Sequence, residues 1–316
     1  MLYQSPLLPG VPLIESPLFE SELDHMGLDQ TEKDIAVRLH RDGYAVFDFP
    51  DPEIDQRIER IRRRLSPELG IVDDGSRDGV KMGGKGRVQD AWKNDEDVRA
   101  IAANPKVLDL LSRLYGRRAF PFQTLNFPVG TQQHPHTDAV HFSSIPERFM
   151  CGVWLAMEDI DAGAGPLCYV PGSHTWPIIT NTMVGRRGWG QDLPSAQVPY
   201  EDAWRAIVAA RGARMEQFMA RKGQALIWAA NLLHGGSPQT DPTRTRWSQV
   251  SHYFFDDCVY YTPAFSDEPL GRLATRQIVS VADGSRKPNL YLGETIKPPT
   301  PTKRPRSLWK RLTRRR

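Results

Sequence analysis

The sequence has no run of 18 consecutive apolar residues, so it contains no segment that reads as a membrane-spanning helix. It has only three cysteines, Cys151, Cys168 and Cys258, set far apart. They form no C-x-x-C pair and no even-numbered framework, which excludes a disulfide scaffold. Such cysteine usage fits a reducing compartment, and a cytoplasmic location is the expectation. The first 30 residues contain no Lys or Arg, and Pro6, Pro9, Pro12 and Pro17 interrupt their apolar stretches. A secretory leader needs a basic start and an unbroken apolar core, so residues 1–28 read instead as an irregular arm. Acidic residues are missing from 303–316, where eight of the fourteen positions are Lys or Arg. Without those eight, 33 basic residues face 38 acidic ones, leaving residues 1–302 at about −5. A mildly acidic body argues against nucleic acid as a partner.

What is present is ordinary for a soluble globular chain: 40% hydrophobic and 25% charged residues over 316 positions, enough for one large core. A helix is expected from about Thr31, with Ile35, Ala36 and Leu39 at helical spacing and Gly43 as the stop. Tyr44 to Phe49 alternates like a strand. A second helix is expected over about 53–64. Residues 70–90, rich in Gly and Asp, read as a loop. Asn104-Pro105 is a helix start, followed by the stripe Val107, Leu108, Leu111, Leu114 and the stop Gly116.

From about Ala119 the pattern changes to short β-type runs between turns, at 120–127, 150–157, 166–170, 224–230 and 246–255. Many short strands with Gly/Pro punctuation predict a β-sandwich or barrel. The expected organisation is an arm over 1–28, a single domain over 29–285 interrupted by an insertion at about 175–215, and a disordered Pro/basic tail over 286–316. The insertion holds a helical stretch, Glu201–Arg211. Leu308, Trp309 and Leu312 sit among the basic residues of the tail, which suits contact with an acidic partner or a membrane surface, or plain solvation.

The segment QQHPHTDAVHF at 132–142 carries His136-Thr137-Asp138. On a strand, alternate residues face one side, so an imidazole and a carboxylate can aim at one point. His234, after the strand-like QALIW and before two glycines, is the best third ligand. Two His and one carboxylate on one face of an octahedron leave three positions open, the arrangement of non-haem Fe(II) oxygenases. An H-x-D triplet also arises by chance, and His134 and His141 crowd the same stretch as rival ligands. Arg246 and Ser248 follow 12 and 14 residues after His234. A guanidinium and a hydroxyl on one strand face suit a buried carboxylate such as the distal end of 2-oxoglutarate. Arg244 shares that face and is a weaker candidate.

With H-T-D at 136–138, GPLCYVPGSH at 165–174, KGQALIW at 222–228, HGGSP at 234–238 and RWSQVSHYF at 246–254, the chain resembles the phytanoyl-CoA dioxygenase family of Fe(II)/2-oxoglutarate oxygenases. The resemblance runs from about residue 30 to about 256. It implies a mainly β fold with flanking helices, a double-stranded β-helix (a cupin-like jelly-roll barrel). It implies His136, Asp138 and His234 as both metal ligands and catalytic residues, and Arg246 as the 2-oxoglutarate clamp. Trp154, Asn126 and Thr124 match positions near the cosubstrate. The cofactors implied are Fe(II), 2-oxoglutarate and O₂, giving succinate and CO₂ as a small organic substrate is hydroxylated. Related halogenases lack the metal-bound carboxylate, so Asp138 favours hydroxylation over halogenation.

Two other readings stand beside this one: a cupin-like metalloprotein that does not use 2-oxoglutarate, and a non-catalytic accessory protein that keeps the fold. Around the site, the insertion and the 70–90 loop are the expected lids. Trp176, Trp189, Tyr200 and Trp204 are equally suited to lining a mouth or to packing. Lys81, Lys85 and Arg87 are available to an anionic group or to solvent.

Overall fold

The helix signals in the sequence are answered by the backbone groups they serve. The Asp29 carboxylate accepts a hydrogen bond from the Glu32 amide, and the Glu32 carboxylate accepts one from the Asp29 amide, both at 2.9 Å. This reciprocal cap opens a helix over Gln30–Asp42, and Gly43, at φ 79°, closes it in the left-handed region. Asn104 likewise accepts from Lys106 and Val107 to open Pro105–Tyr115. The computed structural model describes residues 2–69, 86–191 and 195–296.

The helices are α1 (Phe19–Glu22), α2 (Gln30–Asp42), α3 (Ile54–Leu69), α4 (Glu96–Ala102), α5 (Pro105–Tyr115) and α6 (Val198–Ala210). The strands that frame the barrel are β1 (Tyr44–Asp48), β2 (Val88–Gln89), β3 (Ala119–Phe127), β4 (Ser143–Ile145), β5 (Met150–Ala156), β6 (Leu167–Tyr169), β7 (Glu216–Phe218), β8 (Gln224–Ala229), β9 (His234–Gly236), β10 (Ser248–Phe255) and β11 (Val259–Tyr261). One antiparallel sheet has the order β1-β8-β5-β10-β3-β2, and a smaller one the order β7-β6-β9. Leu125, Trp154, Leu226 and Val250 of the large sheet pack against Leu167, Tyr169 and Phe218 of the small one. Two sheets sharing one apolar interior make the expected cupin-like jelly roll.

The other face of the large sheet, including Val153, Leu155, Ala225 and Ile227, packs on the helices through Ile35, Leu39, Ile58, Ile61, Val98 and Leu111. Strands buried on both faces explain why runs such as MCGVWLA read as continuously apolar. Among the described residues no helix is long and apolar enough to cross a membrane.

Three expectations need correction. The arm is not irregular: residues 13–25 form short helical turns, and Leu13, Ile14, Phe19 and Met26 enter the main core. Prolines break long helices but tolerate single turns, which tertiary packing then holds. Second, the tail is ordered as far as 296. Arg286–Lys287 pairs with Ile278–Val279, Leu290–Tyr291 with Glu294–Thr295, and buried Asn289 accepts from the Tyr260 amide at 2.6 Å. Composition alone could not register that docking; the basic segment 303–316 lies outside the described residues. Third, β2 and Arg87 emerge from the expected 70–90 loop, whereas Lys81 and Lys85 lie outside the described residues.

Candidate metal centre and its cavity

The three ligand candidates converge, though not by the strand geometry expected for His136 and Asp138. His136 meets His234 in an isolated antiparallel bridge, with His136 N donating to His234 O at 2.8 Å and His234 N to His136 O at 2.9 Å. Asp138 then opens a single 3-10 turn, Asp138–Val140. The bridge sets one imidazole beside the other, and the turn brings the carboxylate under both. Such close approach requires Gly235, because a Cβ there would stand 2.7 Å from the Gln133 carbonyl. The P-G-S-H element holds the same stretch from behind. Ser173 Oγ accepts from the Leu233 amide at 2.8 Å, and the His174 carbonyl accepts from Asn231 Nδ2 at 3.1 Å.

Ligand atoms of His136, Asp138 and His234 lie within 4.8 Å of one another, and all three residues are buried. Each His Nε2 stands 3.9 Å from an oxygen of Asp138. The other ring nitrogens are committed: His136 Nδ1 to the His134 carbonyl and His234 Nδ1 to the Leu232 carbonyl, each at 3.0 Å. A carbonyl only accepts, so both rings carry the proton on Nδ1 and turn the Nε2 lone pair to the shared point. Burial pushes the His136 imidazolium down to about 3, with His234 acting the same way. Burial would raise the Asp138 carboxyl, but His234 and His252 hold it well below the usual carboxylate range. Neutral imidazole and ionised carboxylate are the forms that ligate a metal. His134 is exposed and offers its carbonyl, and His141 stands aside with its ring 6.4 Å from that of His136.

Asp138 is also held by residues the sequence reading missed. Trp228 Nε1 donates to Asp138 Oδ2 at 2.8 Å. The indole reaches it only because Gly152, its partner across β5 and β8, has no side chain; a Cβ there would stand 2.1 Å from the ring. His252 Nε2 lies 3.6 Å from Asp138 Oδ2, and its Nδ1 lies 3.0 Å from Gln123 Oε1. A usable signal was present, since 248, 250 and 252 share one face of β10 and Arg246 lies two residues ahead of it.

One cavity of about 470 Å³ opens from the ligand cluster, a size suited to small molecules. Arg246 and Trp154 line it together with Leu125, Phe127, Leu167 and Val250. Arg246 is buried just ahead of β10, and its Nη1 donates to the Gly165 carbonyl at 3.2 Å. Its Nε, the Trp154 Nε1 and the Ser248 Oγ are buried without a partner. Burial pushes the Arg246 guanidinium down to about 10, and among the described residues no carboxylate pairs with it. Its Cζ lies 5.7 Å from the Trp154 ring centre. A buried cation beside orphaned donors fits the carboxylate expected of 2-oxoglutarate.

Asn126 and Thr124 do not join this group. Their neighbours Gln123, Leu125 and Phe127 face the cavity, so they face the opposite side of β3. Asn126 Nδ2 donates to Gln249 Oε1 at 3.2 Å, and Gln249 Nε2 to the Val98 carbonyl of α4 at 3.0 Å. Their assignment to the cosubstrate is therefore corrected by strand parity. Arg244 is exposed and pairs with Asp161 and Asp241. Tyr200 and Trp204 are buried in a packing cluster with Val140, Val170 and Leu233, against which Trp176 also rests. None of these three, nor Trp189, lines the cavity. The insertion instead contributes Ser195, Ala196 and Gln197, and Gln133 Nε2 donates to Gln197 Oε1 at 2.8 Å.

The family model for phytanoyl-CoA dioxygenase (PhyH) matches residues 39–246. The peroxisomal phytanoyl-CoA dioxygenase of Rattus norvegicus is 24% identical over 206 residues, covering 62% of this chain and 56% of that protein. The chain thus matches a little over half the length of that relative. Among solved structures, the non-haem α-ketoglutarate-dependent carbocyclase SnoK of nogalamycin biosynthesis aligns with a TM-score of 0.57 at 17% identity, over 80% of this chain and 94% of that one. The epimerase SnoN, in complex with Fe3+, α-ketoglutarate and nogalamycin RO, aligns with a TM-score of 0.54 at 21% identity, over 84% and 96%. These likenesses support the same barrel fold. With the family model spanning most of the barrel and ending at Arg246, the chain belongs to the phytanoyl-CoA dioxygenase family.

Proposed function

We propose that this protein is an Fe(II)- and 2-oxoglutarate-dependent oxygenase that hydroxylates a small organic substrate. The observation that carries the reading is one cavity that joins the buried His136/Asp138/His234 cluster to an unpaired buried Arg246. Family membership supports it, as do the metal and cosubstrate named for SnoN.

His136 and His234 would hold the iron through Nε2, with their tautomers fixed by the two backbone carbonyls. Asp138 would supply the anionic ligand, steadied by the Trp228 N–H. Arg246 would receive the distal carboxylate of 2-oxoglutarate, with the Ser248 hydroxyl and Trp154 N–H as neighbouring donors. Leu125, Phe127, Leu167 and Val250 keep water from that end, which strengthens the charge pairing. Iron with 2-oxoglutarate and O₂ supplies the oxidation: one oxygen atom goes to the substrate as hydroxyl, the other to succinate, and CO₂ leaves. The carboxylate retained at Asp138 favours hydroxylation over halogenation.

Anaerobic addition of Fe(II) and 2-oxoglutarate to the folded protein tests the reading. A weak visible charge-transfer band is expected on forming the complex. Folded protein that binds Fe(II) yet gives no band would favour a cupin-like metalloprotein; binding of neither would favour an accessory role.

A further inference from the structure

The cavity contains a second guanidinium that the metal and cosubstrate do not use. Arg276 lines its wall together with Thr262, Phe142 and His141. Its Nη1 donates to Thr262 Oγ1 at 3.0 Å, and its Cζ sits 4.9 Å from the centre of the Phe142 ring. Its Nε is buried with no partner among the described residues. The backbone is fixed on both sides, with Arg276 N donating to Tyr260 O at 2.8 Å and Asn289 Nδ2 donating to Arg276 O at 3.0 Å. The side chain therefore projects from a backbone hydrogen-bonded on both sides, a rigid base for a binding group.

Among the described residues no carboxylate stands within ion-pair distance of Arg276. Asp90 acts on it from further away, and is itself engaged by Lys93, the Trp92 indole and the Thr124 amide. Of the described residues lining the cavity only Asp138 is acidic, and it belongs to the candidate metal cluster. Burial lowers the Arg276 pKa, the mark of a cation short of solvation. Arg87, exposed on the same cavity wall, adds positive charge. A cation short of water is retained where it meets an anion, and among the described residues this half-buried one has none.

We propose that Arg276 anchors an oxyanion substituent of the substrate, a carboxylate or a phosphate, and so fixes which carbon faces the metal centre. This inference rests on the oxygenase reading for its substrate, but not for the anion site itself. Arg246 and the exposed Arg87 are the other cavity arginines, and filling Arg246 with 2-oxoglutarate leaves Arg276 as the half-buried cation available.

The test uses the full chain, loaded anaerobically with Fe(II) and saturating 2-oxoglutarate. The probes are 4-fluorobenzoate, 4-fluorophenyl phosphate and neutral 4-fluorobenzamide, followed by ¹⁹F NMR. At least one anion should bind saturably, and the better of the two identifies carboxylate or phosphate as the preferred group. R276Q should weaken that anion at least 10-fold and leave the benzamide unchanged. R276K, which keeps the charge but loses the fork, should fall between the two, and it serves if R276Q does not fold. R87Q should cost 2- to 3-fold. Anions that bind wild type and R276Q equally, or that do not bind at all, would overturn the proposal. The charge-transfer band of each sample separates the two readings. A band retained with no Arg276-dependent binding sinks only the anion site. An absent band with Arg276-dependent binding sinks the oxygenase and leaves the anion site standing.

Discussion

Two regions of this protein bury charge, and they treat it in opposite ways. Between α3 and α4, Arg57, Arg60 and Arg64 surround Asp97, with contacts of 3.0, 2.7 and 2.5 Å, while Arg64 also holds Asp95 at 2.7 Å. Asp95 in turn caps α4 by accepting from the Asp97 and Val98 amides. The guanidinium of Arg60, then the other arginines, hold the Asp97 carboxyl well below its usual range. Every charge there has its partner within the chain. In the cavity, Arg246, Arg276, Trp154 and the neighbouring Ser248 keep buried polar atoms without one. The first region uses charge to tie two helices together; the second leaves charge unspent for something that comes from outside. An unmet buried donor is costly, and a ligand that meets it recovers that cost.

Breaking the ligand cluster should have the largest effect. H136A or D138A should abolish Fe(II) binding measured anaerobically, beyond the roughly 10–100-fold of an outer-shell change. R246Q should weaken 2-oxoglutarate by about 2–5 kcal/mol and leave Fe(II) affinity intact, read by titration of the charge-transfer band. Equal affinities in R246Q and wild type would erase the contrast between the two regions. W228F removes the donor to Asp138 together with part of the buried indole and should cost roughly 10–100-fold in Fe(II) affinity. G152A should reproduce that loss by displacing the indole, with a further ~1–3 kcal/mol of stability from overpacking.

D97N probes the paired region. It should lower stability by roughly 1–3 kcal/mol, since its arginines are partly exposed and screened. Fe(II) and 2-oxoglutarate affinities should not move. A loss of cofactor affinity there would mean that the network does more than join helices.

His174 sharpens the contrast further, because its Nδ1 is also buried and unpartnered, yet it lies against Gly43 and outside the cavity. Burial pushes its imidazolium down to about 4. The unfolded chain binds this proton below about 6.5 and the folded chain only below about 4, so stability should fall as pH drops through that window. The slope from this one group is at most about 1.4 kcal/mol per pH unit. Melting curves of wild type and H174Q between pH 7 and 4 check it; identical slopes would remove His174 from the account.

Much of the fold was legible because its signals are local. Asp29 with Glu32, Asn104 with Pro105, and the two terminal glycines Gly43 and Gly116 mark helix ends that depend on nearby backbone. The apolar runs at β5, β8 and β10 are continuous because helices cover one face and the barrel interior the other. The candidate cluster His136, Asp138 and His234, and the buried Arg246, were legible from residue type and order. The errors came where a side chain's role depends on strand parity or on contacts distant in sequence. Asn126 and Thr124 lie on the expected strand but face away from the cavity. For Tyr200 and Trp204, which suited a mouth and packing equally, the fold chose packing.

The sequence by itself determined which chemical groups are available: two imidazoles, a carboxylate and a guanidinium, punctuated by glycines that permit close backbone approach. Only the tertiary structure decided which way they face. Hydrogen bonding between His136 and His234 bridges segments about 100 residues apart. The gap at Gly152 admits Trp228 to Asp138, and the fold leaves Arg246 and Arg276 with buried nitrogens that no group among the described residues satisfies. Residue type is a local property, whereas burial and the absence of a partner are set by everything that packs around a side chain.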